Sequence, residues 1–382
     1  NTKVFKKWLK EIKDALQEKY SSHLFSEGIN GTDHVESVPV KYESEAPMVD
    51  GRIILRDNFD KLLKYENRLI IFGEDTGKIG GVNQGLEGLQ EKYGKLRIAD
   101  TGIREATIVG QGIGMSIRGL KPIAEIQYLD YILYCIQILS DDLASLSYRT
   151  KGRQLAPLII RTRGHRLEGI WHSGSPMGSL INLIRGIQLL VPRNMTQAAG
   201  FYNTLLRSNQ PAVVIESLNG YRIKEKIPSN LGKYCLPIGK IEVLKEGTDI
   251  TLISYGSTLR IVNEVALKLD RYKISAEVID IQTLIPFDKE KEIRQSIAKT
   301  SRLLIVDEDL PGGGSAYILQ QLLEEQNIYP LLDSQPRVLT AKEHRPAYGE
   351  DGDYFSKPSA DDIFECVNEI MHENNPSKFP LL

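Results

Sequence analysis

The fold is decided by the stretch Asp100-Thr-Gly-Ile-Arg-Glu105, which runs into Gly110-Gln-Gly-Ile-Gly114 and is followed by Ala124-Glu-Ile-Gln-Tyr-Leu-Asp-Tyr131. A carboxylate that directly precedes a glycine-spaced helix is stabilised by the positive end of the helix dipole. The apolar run at residues 122–126 is typical of a buried strand. The stretch therefore predicts a loop, a helix and a buried strand in succession, with Glu105 at the start of the helix.

Similar apolar runs recur along the whole chain, and helix-like intervals separate them. They cover residues 68–72, 122–126, 158–161, 212–215, 249–254, 276–281 and 303–307. A segment at 221–237, with Pro228 and Gly232, divides the runs into two groups. This alternation predicts an α/β fold of two doubly wound units, each a mainly parallel sheet with helices on both faces. Functional residues are expected in the loops at the carboxyl ends of the strands.

Composition excludes several classes of protein. The 382 residues exceed what one hydrophobic core usually fills, and 41% apolar with 26% charged residues is ordinary for a globular protein. A net charge of -2 argues against a nucleic-acid or membrane-surface role. Cys135, Cys235 and Cys366 lie too far apart in sequence to suggest a zinc site or a disulfide framework. No apolar run approaches the roughly 20 residues that cross a bilayer, so a cytoplasmic location is expected.

The first fifty residues differ from the rest of the chain. Residues 4–20 place Trp8, Leu9, Ile12 and Leu16 on one face of a charged amphipathic helix. Residues 21–50 are polar and show no sustained period, which predicts a linker or an arm.

Seven motifs in order resemble the beta subunit of the pyruvate and branched-chain 2-oxoacid dehydrogenases, within the transketolase-like superfamily. Besides the stretches quoted above, they include Gly73-Glu-Asp75 with Gly80-Gly-Val82, Gly169-Ile-Trp-His-Ser173, Val278-Ile-Asp-Ile-Gln-Thr-Leu-Ile-Pro286, Leu304-Ile-Val-Asp-Glu308 and Gly312-Gly-Gly-Ser-Ala316. Each motif alone is a weak signal, whereas their shared order and spacing are specific. The likeness covers residues 53–371.

The resemblance implies a transketolase-like pyrimidine-binding domain followed by a smaller transketolase carboxyl-terminal domain. The expected divisions are a helix and linker arm at 1–50, the pyrimidine-binding domain at 51–225, a linker at 226–240, the carboxyl-terminal domain at 241–375 and a tail at 376–382.

Thiamine diphosphate is the cofactor that the resemblance implies, with Glu105 as the residue that contacts a ring nitrogen of its aminopyrimidine and activates it. Ile103, Gln127 and Tyr131 match family positions around the same ring. Gln127 and Tyr131 are four residues apart and would share a helical face if a helix began there. Taken alone, the same residues also suit ordinary roles: a helix-end carboxylate, a strand-end amide and a core aromatic.

The resemblance assigns the second catalytic role to His172, whose imidazole can hydrogen-bond a developing oxyanion. His165 is a rival, but the catalytic histidine of the family immediately precedes a serine, as His172 precedes Ser173. The family usually continues His-Ser-Gln-Ser with an acidic residue shortly after the proline. Gly174 and Met177 stand at those places here, so acyl transfer is expected to differ from that of the family.

The diphosphate anchor of the family, Gly-Asp-Gly followed by an asparagine and a magnesium ion, is not recognisable in this sequence. The nearest candidate, Glu350-Asp-Gly-Asp353 with Asn374 and Asn375, lacks the first glycine and a preceding apolar strand. We therefore expect this chain to bind only the aminopyrimidine end, with magnesium on an alpha subunit. The family often holds a monovalent cation through backbone carbonyls near the segment matching residues 205–211. Its polar residues are not reproduced, so no metal ligand is assigned.

The implied function is the beta part of a thiamine diphosphate-dependent dehydrogenase that decarboxylates a 2-oxoacid and acylates a lipoyl carrier. Branched-chain substrates are favoured, with pyruvate as the alternative. The implied partners are an alpha subunit or the alpha portion of a fused chain, a lipoyl acyltransferase core and a second beta part. The start at Asn1 and the charged arm motivate the hypothesis of a fused polypeptide.

Two other classes of protein share some of these features. A non-catalytic scaffold subunit stays open, because fold does not dictate function. A nucleotide-binding oxidoreductase is disfavoured, because Tyr317 stands at the third glycine position of the pattern that begins at Gly312.

Overall fold

The computed structural model describes residues 2–19, 23–26, 28–164, 176–345 and 352–381. The α-helices of this part are α1 (Thr2–Lys19), α2 (Gly51–Tyr65), α3 (Leu89–Tyr93), α4 (Glu105–Ile117), α5 (Leu146–Arg149), α6 (Met177–Leu183), α7 (Met195–Leu206), α8 (Leu259–Leu269), α9 (Glu292–Thr300), α10 (Gly314–Gln320), α11 (Gly352–Ser356) and α12 (Ala360–Asn374). The strands are β1 (Met48–Asp50), β2 (Leu69–Gly73), β3 (Ile98–Asp100), β4 (Lys121–Glu125), β5 (Ile159–Arg163), β6 (Gln188–Leu190), β7 (Ala212–Glu216), β8 (Lys224–Lys226), β9 (Glu242–Lys245), β10 (Ile250–Ser254), β11 (Ala276–Asp280), β12 (Thr283–Ile285), β13 (Leu303–Val306) and β14 (Arg337–Leu339).

The first sheet has the order β12-β6-β7-β5-β4-β2-β3. Strands β2 to β7 run parallel within it, and helices cover both faces, so each side of a strand must be apolar. This requirement explains the continuous apolar runs that predicted β2, β4, β5 and β7. Strands β3 and β6 were not predicted, because three residues are too few to give a recognisable run.

The second sheet has the order β14-β13-β10-β11-β9, with β9 antiparallel to β11 and the other neighbours parallel. Strands β10, β11 and β13 fall on the predicted runs. The apolar positions of helix α8 keep a helical period and pack on the sheet. The α/β architecture of two sheets covered by helices is therefore confirmed.

The two sheets share more than a linker. Strand β12 lies in the second half of the chain but pairs antiparallel with β6 of the first sheet, where Thr283 faces Leu190. A single buried apolar cluster includes Ile160 and Val213 of the first sheet together with Ile253 and Ile279 of the second. The expectation of two units joined by one linker was therefore incomplete.

The arm that precedes residue 50 pairs with the expected linker that follows residue 221. Strand β1 pairs antiparallel with β8, and Val38 bridges Cys235. Glu225 of β8 accepts the backbone N–H groups of Met195 at 2.9 Å and Thr196 at 3.0 Å, so it caps the first turn of the buried helix α7. The segment expected to be a plain linker therefore begins as a structural strand.

Helix α1 spans the predicted amphipathic segment, and its large apolar side chains Val4, Phe5 and Trp8 are exposed. Within the described ranges, no helix is long and apolar enough to span a bilayer.

Candidate active site

Glu105 is the first residue of α4, and its side chain is only 8% exposed. The loop before it is tied to the end of β2, because the N–H of Thr101 donates to the carbonyl of Gly73 at 3.0 Å. Strands β2 and β3 end side by side, with Gly73 paired to Asp100. Glu105 therefore lies at the carboxyl edge of the first sheet, where α/β proteins bind their ligands.

A second carboxylate, Glu74, lies near Glu105. Burial raises the pKa of Glu74, and the charges of Asp75 and Glu105 raise it further. Asp100 holds the loop that carries Glu74, since its carboxylate accepts the N–H groups of Gly77 at 2.7 Å and Lys78 at 3.0 Å. Our sequence analysis assigned no role to Glu74, although the motif Gly73-Glu-Asp75 after a strand was the available signal.

Gln127 lies beyond the end of β4, and its Nε2 donates to Oδ2 of Asp75 at 3.3 Å. A 3-10 helix, Leu129–Cys135, begins only after Tyr128, whose backbone is extended at φ -138° and ψ 153°. The expectation that Gln127 and Tyr131 share one helical face was therefore wrong, because Gln127 is outside the helix. Gln127 instead joins the loop after β4 to the loop after β2.

The 3-10 helix lies close to Glu105. Burial raises the pKa of the Cys135 thiol to about 12, and the charge of Glu105 adds to the rise. Burial also raises the pKa of the Tyr131 hydroxyl, with acidic neighbours that include Glu105 contributing further. The structure therefore brings Tyr131 within electrostatic reach of Glu105.

Apolar side chains at the rim of this site point outward. Ile103 is 69% exposed and Tyr134 is 72% exposed, and Ile79 and Leu133 are also exposed. Ile103 belongs to the loop before α4, whereas Leu133 and Tyr134 belong to the 3-10 helix that packs against α4. A cluster of exposed apolar residues beside a buried carboxylate is typical of a surface that a partner covers.

His172 and Gly174 lie outside the described residues, as do Glu350 and Asp351 of the rejected anchor candidate. Met177 is described: it is the first residue of α6 and is fully buried. An acidic side chain at that position would lose its hydration, which accounts for methionine there. Asn374 ends α12, and Asn375 follows it as the C-cap.

Two arginines form a buried ionic network at the carboxyl end of β5. Arg161 is 1% exposed, and it donates to Glu216 at 2.9 Å and to Glu125 at 2.5 Å. Arg163 donates to the other oxygen of Glu125, and Tyr221 donates to Glu216. The two positive and two negative charges therefore balance within the buried network. No sequence signal singled out these residues.

A cavity of about 1000 Å³ lies between the two sheets. Its walls include Tyr128 and Gly164 from the first half and Ser257, Thr258 and Glu308 from the second. The hydroxyls of Ser257 and Thr258 donate to Glu308 at 3.0 and 2.9 Å. These two hydroxyls, which lie just before the start of α8, are therefore already bonded to a carboxylate of the chain itself.

In the described part of the chain, no group of three or more His, Cys, Asp or Glu residues is arranged to hold a metal ion. The side chains around Glu105 offer carboxylates, an amide and a phenol, which can hydrogen-bond a polar aromatic ring.

Comparison with known proteins identifies two domains and a set of similar chains. Residues 48–224 match the transketolase pyrimidine-binding domain, and residues 239–362 match the transketolase C-terminal domain. The chain is 34% identical over 274 residues to a pyruvate dehydrogenase E1 component subunit beta of Acholeplasma laidlawii, covering 71% of this chain and 83% of that protein. It is 33% identical over 272 residues to a 2-oxoisovalerate dehydrogenase subunit beta of Bacillus subtilis (strain 168), covering 70% and 82%.

Solved structures share the fold at lower identity. A split-gene transketolase, described as an inactive beta4 tetramer, superposes with a TM-score of 0.67 at 18% identity, covering 85% of this chain and 99% of that chain. A transketolase variant from Pichia stipitis gives a TM-score of 0.62 at 14% identity, covering 98% and 54%. With both domains and the curated relatives in agreement, the chain belongs to the family of beta subunits of the pyruvate and 2-oxoisovalerate dehydrogenases, which are transketolase-like enzymes dependent on thiamine diphosphate.

Proposed function

We propose that this chain is the beta part of a thiamine diphosphate-dependent 2-oxoacid dehydrogenase whose active site is completed by an alpha part. The observation that carries the proposal is Glu105, a buried carboxylate at an open sheet edge that exposed apolar residues surround. When bound, thiamine diphosphate supplies a carbon nucleophile that cleaves the bond between the carboxyl group and the carbonyl of a 2-oxoacid.

The residues of this chain act on the aminopyrimidine end. Glu105 shares a proton with a ring nitrogen, and its burial keeps water from competing for that proton. Glu74 lies nearby, and its burial together with the charges of Asp75 and Glu105 raises its pKa, which favours the protonated form of Glu74. Gln127 and Tyr131 line the ring, and Ile103 packs on it once the partner is in place.

The alpha part supplies the diphosphate site and the magnesium ion. Two observations support this division: the sequence contains no recognisable diphosphate anchor, and the described residues offer no magnesium cluster. The exposed Ile79, Ile103, Leu133 and Tyr134 form the surface that the alpha part covers. The alpha part is either a separate subunit or the preceding portion of a fused chain.

Three further assignments follow the family. The domain boundaries at 51–225 and 241–375 enclose the two sheets except for β1, β8 and the exchanged strand β12. Two beta parts pair with each other, and a lipoyl acyltransferase core receives the acyl group. Symmetric pairing is the usual arrangement of paired catalytic subunits.

Branched-chain 2-oxoacids are the favoured substrates, with pyruvate as the alternative. The test is to compare kcat/KM for 3-methyl-2-oxobutanoate and for pyruvate in the enzyme assembled with its alpha part. We expect the branched substrate to be preferred by about 10-fold or more, which corresponds to additional methyl groups bound in an apolar pocket. A preference for pyruvate would reverse the substrate assignment. Turnover of neither substrate would favour the scaffold reading.

The proposed role of His172 predicts a division between two steps. His172→Ala should reduce acyl transfer to a lipoyl domain by about 10²-fold, because a hydrogen-bond donor to a developing oxyanion is lost. Decarboxylation measured with an artificial electron acceptor should fall much less. His165→Ala is the matched control and should leave both rates near those of the native enzyme. Equal losses in both assays for His172→Ala would reject this role.

A further inference from the structure

Lys121, the first residue of β4, reaches across to the carboxyl end of α7. Its ammonium group donates to the backbone carbonyl of Leu206 and, at 3.4 Å, to that of Ser208. The carboxyl end of a helix carries a partial negative charge and has carbonyls without helical partners, so it attracts a cation. A lysine from a neighbouring strand supplies that cation here.

Several other polar groups of the segment at 205–211 also have partners within the chain. The carbonyl of Leu205 accepts both the N–H and the hydroxyl of Ser208, each at 3.0 Å. The carbonyl of Pro211 accepts the N–H of Gln188 at 3.0 Å. The Gln210 amide is bonded on both sides, to Ser26 at 2.7 Å and to Gly186 at 3.2 Å. The carbonyls of Leu206 and Ser208 are therefore the oxygens of this segment that Lys121 itself occupies.

The local charge also disfavours a metal ion. Burial lowers the pKa of Lys121, and the positive charges of Arg68 and Arg207 lower it further, while Glu66 opposes them. An additional monovalent cation would therefore enter a site where three cationic side chains already lie near one another. A carbonyl can accept a second hydrogen bond or ion, but this repulsion would remain.

The family expectation of a monovalent cation held by the carbonyls of this segment therefore does not fit this chain. We infer that the Lys121 ammonium replaces that cation, so that the protein folds and works without potassium. A tethered ammonium is present at a fixed position whatever the salt concentration. It holds the turn between α7 and β7, and β7 ends at Glu216 of the buried ionic network.

Thermal unfolding in two salts tests the inference. The chain is unfolded in potassium chloride and in tetramethylammonium chloride at equal ionic strength. We expect the native chain to show the same Tm in both salts. Lys121→Ala should unfold several degrees lower in tetramethylammonium chloride, and potassium should restore much of the loss with saturation, because the vacated carbonyls then bind the ion.

Two variants complete the design. Lys121→Arg keeps a positive charge and should stay insensitive to potassium, so it also serves if Lys121→Ala does not fold. Lys95→Ala removes an exposed lysine and should behave like the native chain. A saturable stabilisation of the native chain by potassium would overturn the inference. A loss in Lys121→Ala that potassium does not repair would reduce Lys121 to a helix cap. Unfolding requires no catalysis, so neither result depends on the proposed function.

Discussion

Glu105→Gln should lower decarboxylation by the assembled enzyme by about 10²- to 10⁴-fold, the range that a positioned acid or base contributes. The amide has nearly the same shape but cannot exchange a proton with a ring nitrogen of the cofactor. Because Glu105 is buried at the start of α4 and its replacement is nearly isosteric, thermal unfolding should change little. The measurement is the rate of carbon dioxide release under saturating cofactor and substrate.

Because the cofactor is saturating, a lower rate reports lost activation of the cofactor rather than weaker binding of it. Glu91→Gln, on the exposed side of α3, is the matched control and should keep the native rate. Unchanged carbon dioxide release in Glu105→Gln would contradict the assignment of this carboxylate. A large loss of Tm with the loss of rate would instead point to a structural role at the helix start.

Arg161→Met should destabilise the chain by about 3 to 5 kcal/mol, the cost of leaving a buried charge without its partner. Arg161 binds Glu216, Glu125 and Tyr221, and all three partners are buried. Methionine fills a similar volume, so the loss reports the uncompensated carboxylates rather than a cavity. Denaturant unfolding of the chain measures the effect.

The control for this variant is Arg222→Ala, which removes an exposed arginine one residue after Tyr221. Surface substitutions of this kind usually change stability by less than about 0.5 kcal/mol. An Arg161→Met protein as stable as the native chain would contradict the account of the network as a charge-balanced support.

The long buried strands could be predicted from sequence because a strand covered on both faces must be apolar throughout. Strands β2, β4, β5 and β7 obey this rule, and α8 keeps a helical period against its sheet. Strand β12 could not be placed, since three residues carry too little pattern and its sheet is chosen by tertiary contacts with β6. The pairing of β12 with the first sheet is therefore a property of the whole fold.

The candidate site likewise contains features that could be predicted from the sequence and features that could not. Glu105 was identifiable because a motif surrounds it, and its position at the start of α4 agrees with the helix-dipole argument. The shared helical face of Gln127 and Tyr131 was not found, because Tyr128 is extended and the next helix begins only after it. Arg161 pairs with Glu216, and Lys121 contacts α7. Both contacts join segments far apart in sequence, so no local sequence pattern predicts them.

The most direct test of the central claim is calorimetric titration of thiamine diphosphate and magnesium, first into this chain alone and then into its mixture with the alpha part. The account predicts heat of binding only in the mixture, because Glu105 and its neighbours hold the aminopyrimidine end and the partner holds the diphosphate. Tight binding to this chain alone would contradict the account, since it would require a diphosphate anchor within the beta part itself.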